Sequence, residues 1–138
     1  MKLRNTHPLF TDEQIKAVFE FVRLPGCENL TLQIKPAKRL YSGRAYLGQR
    51  RLLAKAHHTP RGYPMFYRPY QYGQLRGHKY WIASALELLV VIMAHEARHF
   101  WQHAKGNHGG YIWGGRGKYS EIDTDCYAIK MLRAWRRA

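Results

Sequence analysis

Residues 95–99 read His-Glu-Ala-Arg-His, an H-E-x-x-H pattern. Residues four apart lie on one face of an α-helix, roughly 6 Å from each other. His95 and His99 can therefore approach one divalent ion from the same side. Glu96 leans toward that edge and can take a proton from a water whose pKa the ion has brought toward ~7. With eight histidines in 138 residues, chance produces the pattern in roughly 2% of such chains, the false-positive risk attached to the motif. The alternative is a pair of surface histidines on an ordinary helix. The apolar run Leu88 to Ala94, immediately before His95, argues against it, because such a run belongs to a helix buried inside a domain.

Zinc is the expected ion, since two imidazoles and a third protein donor leave the fourth position to water. Four residues are candidates for that third donor: His103, His108, Glu121 and Asp125. His103 continues the four-residue spacing but lies about 12 Å along the helix axis from His95, too far for one ion. His108 follows His99 by nine residues through a glycine-rich stretch that can fold back, although H-E-x-x-H-x-x-G-x-x-H asks for a shorter step. Glu121 and Asp125 are again four apart and share a helix face. Glu121 would complete a His-His-Glu set, and Asp125 could then accept a hydrogen bond from a ligand histidine and fix its tautomer. Otherwise both are acids in a first helical turn, complementing the macrodipole. Hydrolysis by a metal-activated water also passes through an oxyanion that needs a further donor. Tyr111, Tyr119 and His108 lie between the two segments, and Tyr111 is the first choice because glycine loops often act as lids.

Positioning these residues requires two helices and a frame. Thr11 and Gln14 form a capping box, and Ile15, Val18, Phe19 and Val22 follow with helical spacing until Pro25-Gly26. Leu30, Leu32 and Ile34 alternate with polar residues, predicting a strand, and Pro36 begins a turn. Residues 39–47 and 50–57 read as two more strands. Residues 58–77 hold Pro60, Pro64 and Pro69 and read as an irregular loop, before a short strand around 77–81. Ile82 to about Lys105 reads as one long helix. Six glycines mark 106–117 as a loop, and Ser120 caps a last helix to about Arg136, with Ile122, Ala128, Ile129 and Leu132 as its apolar positions. Residues 1–10 read as a loose arm. The expectation is one α+β domain over 1–138, with an N-terminal helix, a small twisted mixed sheet, a buried helix carrying the motif, and a C-terminal helix.

His95, Glu96 and His99, then Glu121 and Asp125, resemble the gluzincin pattern H-E-x-x-H…E-x-x-x-D over roughly residues 80–135. The resemblance implies a zincin-like fold and a zinc metallopeptidase. It implies His95, His99 and Glu121 as ligands, Glu96 as general base and acid, and Asp125 orienting a ligand histidine. It further implies a small twisted sheet ahead of the active-site helix, with an edge strand that binds extended peptide. The chain is also similar in size and basic character to SprT-like peptidases, some of which act on DNA-bound protein. That pattern places its third histidine further along than His108-Gly109.

The formal net charge is +14, with 23 Lys and Arg against nine Asp and Glu, a balance that favours anionic partners. No acid occurs between Glu28 and Glu87. Within that span Arg39, Arg44, Arg50, Arg51 and Lys55, interleaved with tyrosines, form a candidate nucleic-acid contact. The alternative is a solvated sheet face with packed tyrosines. The expected partners are a protein or peptide substrate and, through this stretch, nucleic acid. A basic nucleic-acid-binding module with a structural metal is the competing reading. The seven-residue apolar run is far short of the ~20 residues a bilayer span needs, and the first ten residues lack a signal-like apolar stretch. Cys27 and Cys126 are too few for a disulfide framework, so reduced thiols and a cytoplasmic setting are expected. Trp101, Trp113, Trp135 and Phe100 read as core or rim aromatics, and Cys126 as a small buried hydrophobe.

Overall fold

The structure is a computed structural model and describes residues 1–69, 77–105 and 118–138. Its order is β1 (Lys2–Asn5), α1 (Asp12–Val22), β2 (Thr31–Ala37), β3 (Tyr41–Tyr46), β4 (Arg51–His57), a 3-10 turn (Pro60–Gly62), β5 (Met65–Tyr67), β6 (Tyr80–Ile82), α2 (Ala85–Ala104) and α3 (Lys118–Arg137). The class is α+β, with three helices, a small mixed sheet and a two-stranded β5–β6 ribbon. The larger sheet runs β1-β2-β4-β3. β1, β2 and β4 are parallel, and β3 returns antiparallel to β4 as the edge.

Alternation sets the faces. Leu32 and Ile34 on β2, with Leu52, Ala54 and Ala56 on β4, are buried in one core with α1 and α2. Their neighbours Gln33, Lys35, Arg51, Leu53 and Lys55 are half-exposed on the other side. α2 packs against α1, against β3 and β4, and against α3, so Leu88 to Ala94 are all buried. That surround explains an apolar run with no polar stripe. Ser84 caps α2, its hydroxyl accepting from the Glu87 N–H at 3.2 Å. The helix therefore begins at Ala85 and not at Ile82, which belongs to β6 opposite Met65. No helix among the described residues is long and apolar enough to cross a membrane.

Four local expectations are corrected. Residues 1–10 are not a loose arm: β1 pairs with β2, Leu3 packs on the core, and His7 and Phe10 are buried. His7 Nδ1 accepts from the Leu9 N–H at 3.1 Å, so its Nε2–H donates to the Ala56 carbonyl at 2.9 Å. Pro36 lies within β2. Even-numbered residues of β2 face β1, as the bond from Thr6 N–H to the Ile34 carbonyl shows. β1 has ended by then, and the missing proline N–H costs no ladder bond. The stretch 58–77 contains β5, whose Tyr67 is buried. Ser120 lies inside α3, which starts at Lys118, and its carbonyl accepts from Gln102 Nε2 at 3.0 Å.

Gly26 closes the turn after α1 with φ +105°. A Cβ there would stand 2.8 Å from the Ala104 Cβ and 2.8 Å from the Phe100 carbonyl oxygen. Both the backbone angle and the contact exclude a side chain. Gly26→Ala is expected to lower stability by about 2 kcal/mol in urea unfolding. An unchanged midpoint would contradict this seating of α1 on α2.

Candidate metal centre

α2 presents His95 and His99 one turn apart, their ring centroids separated by 5.1 Å. The ligand atoms of His95, Glu96 and His99 lie within 4.8 Å of one another. Glu121, from the first turns of α3, enters the same space. Its Oε2 is 3.0 Å from His95 Nε2 and its Oε1 is 3.0 Å from His99 Nε2. Glu96 Oε2 stands further off, 4.0 Å from His95 Nε2. The four-residue spacing on each helix thus brings two imidazoles and a carboxylate to a common point.

The back of each ring is held. His95 Nδ1 is 2.9 Å from Asp125 Oδ1, and Asp125 Oδ1 also accepts from the Tyr67 hydroxyl at 2.8 Å. That oxygen already accepts from Tyr67 and faces the ring as an acceptor, so His95 carries a proton on Nδ1. His99 Nδ1 is 3.2 Å from Gln102 Oε1. The Gln102 amide is oriented by its Nε2, which donates to the Ser120 carbonyl and to Asp123 Oδ2 at 2.9 Å. Its oxygen therefore faces the ring, and His99 also carries its proton on Nδ1. Both Nε2 lone pairs then point at the Glu121 carboxylate. Two lone pairs and an anion at 3.0 Å repel one another unless a cation lies among them, either a proton or a metal ion. The donor set, two imidazoles and one carboxylate, suits zinc.

The charges of the cluster respond accordingly. Burial alone would lower the His95 imidazolium, but the hydrogen-bonded carboxylates of Asp125 and Glu121 carry its pKa up to about 10. Burial pushes the Glu121 carboxyl up, and the two imidazoles outweigh that and hold it below the ordinary carboxylate range. Burial raises Glu96 above the ordinary range, offset only in part by the imidazoles. The Tyr67 phenol, buried against Asp125, is raised far above its usual value and stays a donor.

Space lies in front of the cluster. A cleft of about 320 Å³ is lined by Gly43, Arg44, Ala45 and Leu47 together with His95, Glu96, His99 and Glu121. A second hollow of about 260 Å³, lined by Tyr41, Ser42, Tyr67 and Ile92, meets it at Gly43, His95 and Glu96. Gly43 is required where they join, because a Cβ there would come within 2.7 Å of Glu96 Oε2 and 2.8 Å of Ile92 Cγ2.

Of the expected site residues, His95, Glu96, His99, Glu121 and Asp125 come together. His103 is exposed on the last turn of α2. Tyr111 and His108 lie outside the described residues. Arg44, Arg51 and Lys55 share the solvent side of the sheet, and Arg39 is exposed in the β2–β3 turn. Arg50 differs: its guanidinium donates to the carbonyls of Gly26 and Glu28 and covers the Phe100 ring. It closes a turn from a left-handed backbone (φ +52°). Tyr67, Gln102, Gly43 and the Arg98–Asp123 pair were not anticipated. Arg98 binds Asp123 through two nitrogens, at 2.7 and 3.1 Å, so this acid, between Glu121 and Asp125 in the chain, is paired away from the imidazoles. Gln102 could have been found from its place three residues after His99; Tyr67, 58 residues from Asp125, left no such sign. The chain matches no protein-family model, no curated protein and no solved structure, so the side-chain geometry carries the reading.

A folded-state pKa raised from 6.5 to about 10 means that His95 stabilises protein stripped with a chelator below about pH 6.5 and loses that contribution as pH rises through about 10. The melting temperature of the stripped protein is expected to fall between about pH 7 and pH 10. Added zinc should remove that dependence by taking the proton's place. A melting temperature that rises over this range without metal would contradict the proton-sharing arrangement.

Proposed function

We propose that the protein is a zinc-dependent metallopeptidase of zincin-like architecture, in which His95, His99 and Glu121 hold the ion and Glu96 is the general base. The observation that carries the reading is the convergence of two imidazole Nε2 atoms on the Glu121 carboxylate beside a second, buried carboxylate. Glu121 lies nearer both imidazoles than Glu96 lies to His95, which favours it as the third ligand and leaves Glu96 free. A structural zinc site closes all four positions with protein donors, whereas three donors and an adjacent base leave one for water.

Zinc held there would bring the pKa of a water toward ~7 and polarise a substrate carbonyl. The chain's own residues do the rest. Glu96, made more basic by burial, takes the proton of the attacking water and returns it to the departing amine. Asp125, backed by Tyr67, fixes His95, and Gln102 fixes His99. Such outer partners orient metal-binding imidazoles and raise their basicity. Among the described residues β3 pairs only with β4, so its other edge has free backbone N–H and C=O groups along the cleft. An extended peptide added to that edge would lie across Gly43 with its carbonyl before Glu96.

The competing reading, a basic binding module with a structural metal, gives no role to a buried glutamate beside the imidazoles. Zinc content and cleavage of denatured casein separate the two. Glu96→Gln is expected to keep one zinc per chain and lose about 10²–10⁴-fold in rate. Glu121→Ala should lose both zinc and activity. A zinc-loaded wild type that cleaves nothing, or a Glu96→Gln variant as active as wild type, would sink the peptidase proposal.

A further inference from the structure

All nine acids lie on the three helices or in the loop after α1, and none on a strand. The consequence falls on the face of the larger sheet turned away from the helices. The register sets its side chains in cross-strand rows. Lys2, Thr31, Arg51 and Tyr46 form one row; Arg4, Gln33, Leu53 and Arg44 form the next; Lys35, Lys55 and Ser42 form the third. Every one of these residues is exposed or half-exposed. Six are cations: Lys2, Arg4, Lys35, Arg44, Arg51 and Lys55. With strands about 4.8 Å apart and rows two residues apart, they cover an area about 14 Å by about 13 Å.

We infer that this sheet face binds the phosphate backbone of duplex nucleic acid without reading its sequence. The charge complementarity is direct: six cations and no acid meet a polyanion. The shape favours a duplex over a single strand. A single strand is held along a line with open aromatic platforms for its bases. Here the cations spread in two dimensions, on the scale of a groove about 12 Å wide flanked by phosphates. The single aromatic among these residues, Tyr46, has the Arg51 guanidinium 4.1 Å above its ring and Arg44 at 5.2 Å. The face also favours nucleic acid over an anionic membrane. Among its row residues the one apolar side chain, Leu53, is half-buried, so the face itself offers lipid little apolar surface. Arg51 is braced by Gln33 at 2.8 Å and Gln49 at 3.2 Å, which holds its charge on the surface. Five of the six cations stand away from the cleft, so the inference does not depend on the metal centre; Arg44 borders it.

Fluorescence anisotropy with a 20-base-pair duplex of arbitrary sequence tests this from about 50 to 200 mM salt. Contact by all six cations predicts a slope of log K on log salt near about −5. The double variant Lys35→Gln/Lys55→Gln is expected to bind at least about tenfold more weakly at 100 mM salt, with a slope shallower by about 2. Lys2→Gln/Arg4→Gln, on the exposed edge strand, should do the same and serves if the first pair fails to fold. Lys16→Ala/Lys130→Ala, exposed on α1 and α3, removes the same charge elsewhere and should change binding less than about twofold. No duplex binding at 50 mM salt, or equal losses in the helix and sheet variants, would overturn the inference. Tighter binding to a single strand of equal length, or to vesicles rich in phosphatidylserine, would overturn the choice of occupant.

Discussion

The constraint on which the structure turns is the approach of two imidazole nitrogens to one carboxylate. Uncompensated, three electron-rich groups at such distances repel strongly in a half-buried setting. The fold does not relax this contact; it enforces it. Asp125 and Gln102 fix the protons of His95 and His99 on the far nitrogens, and α3 is seated on α2 so that Glu121 comes no other way. A cation among these atoms, a proton or a metal ion, would compensate the contact.

The rest of the domain serves that contact. α2, buried on several sides, holds the two imidazoles one turn apart. The ion pair of Arg136 with Glu87 at 2.7 Å ties the start of α2 to the end of α3. Arg98, between the two imidazoles, and Gln102, beyond His99, both bond Asp123 of α3. The two helices are thus tied beside the imidazoles as well as at the start of α2, the support that a preorganised site requires. Two independent restraints also explain the asymmetry behind the rings. One histidine rests on the Asp125 carboxyl group and the other on the Gln102 amide.

Much of this was legible before folding was considered. H-E-x-x-H after an apolar run, and a second pair of residues four apart in an acidic segment, identify both helices and their facing sides. The alternation at Leu30, Leu32 and Ile34 and the capping box at Thr11 place β2 and α1. What stayed hidden was non-local. β1 is four residues long, too short to show a period, and its strand character comes from pairing with β2. Tyr67 sits in a proline-rich stretch that reads as loop and reaches Asp125 only through the tertiary fold. Arg50 looks like one more surface cation until Gly26 and Phe100 are brought beside it. The cationic sheet face likewise depends on register: Lys2 and Arg4 join Lys35 and Lys55 only because β1 adds parallel to β2.

The most direct measurement is zinc-edge X-ray absorption on the zinc-loaded protein. Two imidazole nitrogens at about 2.0–2.1 Å with oxygen from a carboxylate and a water, and no sulfur, is the coordination expected of His95, His99 and Glu121. A sulfur shell at about 2.3 Å, or fewer than two imidazoles, would mean that the ion sits elsewhere and that the convergence of α2 and α3 is not a metal centre.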